Sequence, residues 1–257
     1  MIRFLKALLF VVISLIFLVI VAFVRITFWM LQQETEPILA VTTNIWAKIM
    51  LQILGITVSV DKTQNAVVPA GTLITANHQS YLDIIVIASS VPTLFVAKKN
   101  VRSWPLLGWM AALGGTLFID REKFRGAVKA VTQIEQTLRH GVNVQIFPEG
   151  TSSDGSVILP FRSFLFTSAI SVSSPVQPVT INYTKIDEMA VGGTNRDIVC
   201  WYGSMTFIAH FWQLLSIRSV TVSVVFHPVI PAHSSLTPKM MSDLAYAAVG
   251  TGFRIIS

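Results

Sequence analysis

The sequence predicts an α/β sheet with helices packed on its faces, set behind an N-terminal membrane helix. Three observations carry that prediction. Residues 7–24 form an uncharged apolar run. Beyond residue 61, short apolar strand-like runs alternate with helix-like ones, the signature of an α/β sheet. Of 257 residues, 53% are hydrophobic and only 12% are charged, against about 25% charged in an ordinary soluble domain. A disordered chain is poor in apolar residues and rich in charge, so disorder is excluded. Cys200 is the one cysteine, which excludes a disulfide scaffold. The 19 basic and 13 acidic residues leave a net +6. That charge is too sparse for the dense basic stripe of a nucleic-acid binder and suits a membrane surface or an anionic small molecule.

The first element is ALLFVVISLIFLVIVAFV, residues 7–24, with Arg3 and Lys6 before it and Arg25 after it. Its 18 residues rise about 27 Å as a helix, enough to cross a hydrocarbon core. The run is too long for the core of a signal peptide, and no small-x-small cleavage site follows. A membrane helix over residues 1–31 is therefore expected, with Arg25 snorkelling if the helix continues to Leu31. The flanking charges lean toward a cytoplasmic N-terminus. Residues 38–55 carry an apolar side (Ile38, Val41, Ile45, Ile49, Leu51 to Ile53) interrupted by Thr42, Asn44, Lys48 and Gln52. An amphipathic helix in the interface plane, with Trp46 at headgroup level, and an ordinary core helix both fit this pattern.

From residue 61 to 257 the elements are those of one domain. Residues 72–76 read as a buried strand ending at Asn77. A helix follows over 83–90, stopped before Pro92. A strand is expected over 94–98, and a helix over 104–113 that ends at Gly114 and Gly115. Another strand covers 116–120. Residues 127–139 form the clearest amphipathic helix, with Val128, Val131, Ile134, Thr137 and Leu138 on one side. Strands are expected at 142–147, 176–183 and 220–226. No internal repeat, low-complexity tract or long linker interrupts the chain.

The common catalytic signatures are missing from the sequence. It contains no G-x-x-x-x-G-K-[ST], G-x-G-x-x-G or G-x-S-x-G, and neither H-E-x-x-H nor paired C-x-x-C for zinc. Four histidines read as structural: His140 at a helix C-terminus, His210 packed on a helix, His227 at a strand end and His233 in a loop. His78 differs, because it directly follows a buried strand, where ligands and chemistry gather in α/β folds. Asp83 lies five residues on. The two touch only if His78 precedes the helix and Asp83 sits in its first turns. Asp83 could then fix the imidazole tautomer and leave the other nitrogen free as a general base. A structural turn with a capping Asp gives the same spacing. Phe147-Pro148-Glu149-Gly150-Thr151 also follows a strand directly. Its carboxylate is a base, a binder of substrate hydroxyls or a clamp on the loop's own amides.

His78-x-x-x-x-Asp83 with Phe-Pro-Glu-Gly-Thr about 70 residues later resembles the lysophospholipid acyltransferase family, which includes 1-acylglycerol-3-phosphate acyltransferases. Gly115-Thr-Leu-Phe-Ile-Asp-Arg121 matches the family's intervening block. Phe161-Arg162 and the strand around Pro178 match its later ones. The four blocks span about 72–183 in the family's order. The resemblance implies a mixed sheet flanked by helices, the glycerolipid acyltransferase fold, over 61–257. It implies transfer of an acyl group from acyl-CoA or acyl carrier protein to a lysolipid hydroxyl, with no cofactor. His78 would be the general base and Asp83 its orienting partner. Arg121 would contact an anionic headgroup, and Glu149, Gly150 and Thr151 would form the acceptor-binding loop. The family further implies a protein on the membrane, at the cytoplasmic face of the inner membrane in a bacterium, with the bilayer and the lysolipid as partners and no nucleic acid.

One departure bears on the acceptor. Many phosphatidic-acid-forming members read Glu-Gly-Thr-Arg, and Ser152 stands here instead. The expected acceptor is 1-acylglycerol-3-phosphate, its headgroup bound by Arg121 helped by Arg162, with Arg162, Lys123 and Arg125 as the candidates to substitute for the missing cation. Residues 98–162 hold nine Lys/Arg against five Asp/Glu, which fits an anionic headgroup and equally a solvated basic face. The run through Asp154 and Gly155 to Leu-Pro-Phe-Arg-Ser also resembles lyso-ornithine-lipid acyltransferases, which makes that lipid the alternative. A lipid hydrolase and a non-catalytic membrane protein are the other classes.

Overall fold

The computed structural model describes residues 2–61, 68–120 and 124–257. Its strands are β1 (Ile56–Asp61), β2 (Leu73–Ala76), β3 (Leu94–Lys98), β4 (Leu117–Ile119), β5 (Val144–Ile146), β6 (Val176–Ile186), β7 (Met189–Ala190) and β8 (Val220–Phe226). They form one sheet in the order β1-β8-β6-β2-β5-β3-β4, with β7 paired to β6. Pairing is parallel except where β6 meets β7 and β8, so the sheet is mixed. It begins at Ile56, five residues before the domain start expected from sequence.

Helices cover both faces. On one lie α1 (Ile2–Met30), α2 (Glu36–Leu54), α3 (Leu82–Ser90), α4 (Leu107–Leu113) and, later in the chain, a short amphipathic helix, Phe207–Leu214. On the other lie α5 (Phe124–Arg139), α6 (Phe166–Ser171) and the C-terminal helix Pro238–Gly252. In chain order these two later helices are α7 (Phe207–Leu214) and α8 (Pro238–Gly252). The strands alternate between the two cores. Ile74, Ala76, Val222 and Val224 face α2 and α3, and Leu73, Val144 and Ile146 face α5 and α6. Such alternation is what a sheet buried on both sides requires. Inside α5 the buried stripe is Ala130, Val131, Ile134, Thr137 and Leu138, while Val128, placed on that side from sequence, is 45% exposed.

The N-terminal apolar run is helical over 29 residues. Its buried positions, Lys6, Phe10, Ser14, Phe17 and Val21, recur every three or four residues, which makes one stripe. That stripe docks on the domain. Lys6 Nζ donates to Leu54 O (2.7 Å) and Ile217 O (2.8 Å). Arg25 Nε donates to Leu113 O (2.7 Å), so Arg25 is satisfied by the end of α4 and does not snorkel. The opposite face exposes Phe4, Leu8, Leu15, Val19, Phe23 and Trp29. α2 turns part of the apolar side named from sequence outward. Val41, Ile45 and Ile49 face outward, and Asn44 points in, donating to Ala88 O (2.6 Å) at the end of α3. Trp46, expected at headgroup level, instead packs against Phe17 with ring centroids 5.5 Å apart.

Candidate active site

The fold explains why two motifs 70 residues apart meet. β2 and β5 are parallel neighbours, with Thr75 beside Ile146. Their C-terminal ends therefore lie side by side, and each is followed at once by its motif. Asn77 extends the sheet past the end of β2: its side chain donates to Ile181 O (2.9 Å) and accepts from Ile181 N (2.8 Å). His78 is thereby fixed at the edge of the sheet.

Asp83 sits in the first turn of α3, fully buried. His78 Nδ1 lies 2.8 Å from its Oδ2. The same oxygen accepts from Gln79 N (2.7 Å) and Ser80 N (2.9 Å). Oδ1 accepts from Tyr183 Oη at 2.6 Å. An acceptor-only carboxylate facing Nδ1 makes Nδ1 the protonated nitrogen, so the open Nε2 is basic. His78 Nε2 has no protein partner among the described residues, and the side chain is 18% exposed. The ring stacks on Phe147, centroids 4.1 Å apart. Tyr183 escaped the sequence reading because it is one more alternating residue of a strand. Burial and the adjacent Asp83 hold its phenol far above its ordinary range, so it remains a donor.

The Glu149 loop grips the His78 backbone from both sides. Glu149 Oε1 accepts from His78 N (2.7 Å), and Ser153 N donates to His78 O (2.9 Å). Glu149 Oε2 accepts from Leu159 N (2.9 Å). Both carboxyl oxygens are thus occupied by the protein. Of the three roles open from sequence, the geometry is that of a clamp. Gly150, at φ +76°, makes the left-handed turn the loop needs. Thr151 and Arg162 are exposed, and Arg162 N donates to Pro148 O (2.9 Å). Asp154 pairs with Arg196 at 3.0 Å. Arg121 and Lys123 lie outside the described residues.

Burial pushes the Glu149 carboxyl up from 4.5 to about 8, against the pull of its two backbone donors. Between those values the folded protein keeps a proton that the unfolded chain has released. Stability from this group therefore falls as pH rises from about 4.5 to 8. In Glu149→Gln that slope should vanish. One backbone N–H would also face the new amide NH₂, a loss of about 1–3 kcal/mol. Thermal unfolding of both proteins in detergent between pH 5 and 9 checks this, and an unchanged slope in the variant would rule Glu149 out as its source.

Two cavities meet at Phe147. The first encloses about 180 Å³ and is almost wholly apolar, walled by Phe10 and Phe17 of α1, Trp46, Tyr81, Met110 and Phe211 among others. The second encloses about 210 Å³ and holds Arg162, with Pro148, Phe164 and Ile119. Phe147 lines both, with His78 stacked on it. The arrangement offers an apolar slot and a cationic slot that share Phe147, the residue on which His78 stacks. For a metal, the described residues bring Glu34, Glu36 and His140 within 4.8 Å of one another. That group sits at the α1–α2 turn and the end of α5, apart from the dyad.

The family profile "Acyltransferase" matches residues 57–182 of this chain. Lyso-ornithine lipid O-acyltransferase of Rhizobium meliloti (strain 1021) is 34% identical over 206 residues, 77% of this chain and 70% of that one. The 1-acyl-sn-glycerol-3-phosphate acyltransferase of Neisseria gonorrhoeae is 35% identical over 175 residues, 68% of this chain and 66% of that one. Among solved structures, the 1-acyl-sn-glycerophosphate (LPA) acyltransferase PlsC from Thermotoga maritima superposes with a TM-score of 0.67 at 21% identity. The match covers 98% of this chain and 94% of that one, and it shows a shared fold.

Proposed function

This chain belongs to the acyltransferase family, and from that premise we propose that it acylates the free hydroxyl of a lysolipid with His78 as general base. The carrying observation is the His78–Asp83 pair at 2.8 Å, with Nε2 unpartnered among the described residues and the ring stacked on Phe147, which lines both cavities. Nε2 takes the acceptor's hydroxyl proton as the oxygen attacks the thioester carbonyl. The tetrahedral intermediate collapses by breaking the C–S bond. The imidazolium, stabilised by Asp83, returns the proton to the departing thiolate. Acyl-CoA or acyl carrier protein supplies the thioester, and base chemistry of this kind calls for no cofactor. The apolar cavity takes the acyl chain.

The acceptor we place first is 1-acylglycerol-3-phosphate, with Arg162 and Arg121 as ligands of its phosphate. Losing one charge-assisted contact costs about 1.5–3 kcal/mol, or roughly 10–150-fold in kcat/KM. Arg162→Ala should lose that much on the phosphate lipid and little on a phosphate-free one. Equal loss on both would make Arg162 structural. A second reading, a lyso-ornithine lipid, is favoured by two features of the loop. Ser152 brings no charge, and Asp154 paired with Arg196 sets opposite charges beside the catalytic loop, which suits a headgroup bearing both an ammonium and a carboxylate. The deciding experiment is an acceptor screen with purified protein, read by mass spectrometry of the lipid product. Thioester consumption without a lysolipid would support a hydrolase instead.

The apolar outer faces of α1 and α2 support a seat in the bilayer, on the cytoplasmic side of the inner membrane in a bacterium. Both helices are long and apolar enough to cross. The inner stripe of α1 touches the domain from Lys6 to Arg25, about 28 Å of helix. The cavity is therefore held directly against the lipid-facing helix.

A further inference from the structure

α7 reads Phe-Ile-Ala-His-Phe-Trp-Gln-Leu; its exposed Ala209/Gln213 stripe is the polar one, and three further faces have different surroundings. Phe207 and Phe211, one turn apart, line the apolar cavity. His210 and Leu214 are buried: His210 Nε2 lies 3.1 Å from Cys200 O, and its Nδ1 lies 2.9 Å from Tyr81 Oη. Ile208 and Trp212, again one turn apart, are 80% and 39% exposed. A soluble surface helix would carry polar residues on that third face. The exposed stripe is continuous with α1. The Trp212 ring meets Phe4 edge-on at 5.3 Å, Phe211 meets Phe10 at 4.8 Å, and Phe4 is itself 69% exposed. The turn Lys99–Ser103 is joined to α7 through a Trp104–Phe207 contact at 5.7 Å; Lys99 pairs with Asp120 at 3.2 Å, and Arg102 is exposed. That is the charge an anionic leaflet attracts. One helix, apolar on both sides, thus separates the cavity from the surface that α1 presents.

We propose that α7 is a further membrane-contacting element: Ile208 sits in the acyl region of one leaflet beside α1, with Trp212 toward the boundary, and acyl chains pass along α7 between bilayer and cavity. The proposal rests on the lysolipid acyltransferase reading for its second half only. A short helix of this kind shields a chain from water during transfer, because it offers apolar contact at both ends of the path. Trp212 belongs at the rim of such a site, since indole favours the membrane–water boundary.

The test uses the full chain reconstituted in phosphatidylcholine/phosphatidylglycerol vesicles. Ile208→Cys is labelled with an environment-sensitive fluorophore. Cys200, the one native thiol, is buried and pushed up to about 12, so it stays unlabelled. Emission should shift to the blue and be quenched when the lipids carry brominated acyl chains. The same label at Lys239→Cys, exposed on α8 across the sheet, should not respond. An unquenched label at position 208 overturns the proposal, and if a concentration-dependent dimer accompanies it, the face belongs to a second copy of the chain. This readout needs no turnover and stands apart from the functional reading. In a second measurement, Ile208→Glu should raise KM for vesicle-embedded lysolipid roughly 10–100-fold, the cost of a carboxylate in hydrocarbon. Activity on a water-soluble short-chain thioester and lysolipid should be unchanged, and Ile208→Leu should behave as wild type. Equal loss on embedded and soluble substrates would make α7 a structural wall and overturn the passage.

Discussion

Replacing His78 with alanine is expected to lower turnover by about 10²–10⁴-fold, the usual contribution of a positioned general base, with the fold intact. The structure explains both halves of that expectation. Nε2 is the open nitrogen of a ring whose other nitrogen is engaged by Asp83 and whose face rests on Phe147. Among the described residues, neither nearby ionisable group replaces it: both Glu149 oxygens accept backbone amides, and Tyr183 holds its proton. The fold survives because Asp83 Oδ2 keeps its bonds from Gln79 N and Ser80 N when the imidazole is gone. The backbone of residue 78 remains clamped between Glu149 and Ser153. Single-turnover acyl transfer measures the effect, with circular dichroism and the unfolding temperature as controls. A folded alanine variant with near wild-type turnover would remove His78 from the chemistry. Because Glu149 acts on the His78 backbone, the proposal makes it a positioning residue, and its loss should reduce kcat more than it raises KM for the acceptor.

Much of this arrangement was legible in the sequence, for a physical reason. Strand-end motifs are local: an apolar run, then Asn77 and His78, marks a strand ending in a polar loop, and a second such run precedes Glu149. Parallel pairing of those strands is what turns two local signals into one site. The pattern failed where a residue's partner comes from a distant element. Arg25 looks like a cation stranded in a membrane helix, and its partner is the C-terminal carbonyl of α4, 88 residues away. Asn44 looks like an interruption of an apolar face, and it caps the carbonyls of α3. With Asn44 turned inward, the helical period places Val41, Ile45 and Ile49 outward, the orientation an interfacial helix requires. Tyr183 and the aromatic walls from α7 are likewise invisible to any window on the chain. α6 and α8 were missed because short or weakly patterned helices carry little periodic signal.

Asp83→Asn should lower turnover by about 10²–10⁴-fold at a modest cost in stability, and this pairing of effects is specific to the geometry. Asp83 receives four donors: three on Oδ2 and the Tyr183 hydroxyl on Oδ1. Asparagine keeps the three donors on Oδ2 by placing its oxygen there. Its NH₂ then replaces Oδ1 and donates to Tyr183 Oη, which as a hydroxyl can accept as well as donate. The second amide N–H and the Tyr183 hydroxyl hydrogen then need new acceptors in a buried site, which adds to the cost in stability. The negative charge is lost, and with it the stabilisation of the imidazolium that forms when His78 takes the acceptor's proton. The stability loss should be about 1–3 kcal/mol, as charge-assisted bonds become neutral ones. Tyr183→Phe separates the two functions of Asp83. It removes one of the four donors, so it should cost similar stability while leaving the His78 contact and most of the turnover in place. Unfolding temperatures and single-turnover rates for both variants make the comparison. If Asp83→Asn retains wild-type turnover, or if Tyr183→Phe is equally inactive, Asp83 serves only to cap the loop at the start of α3.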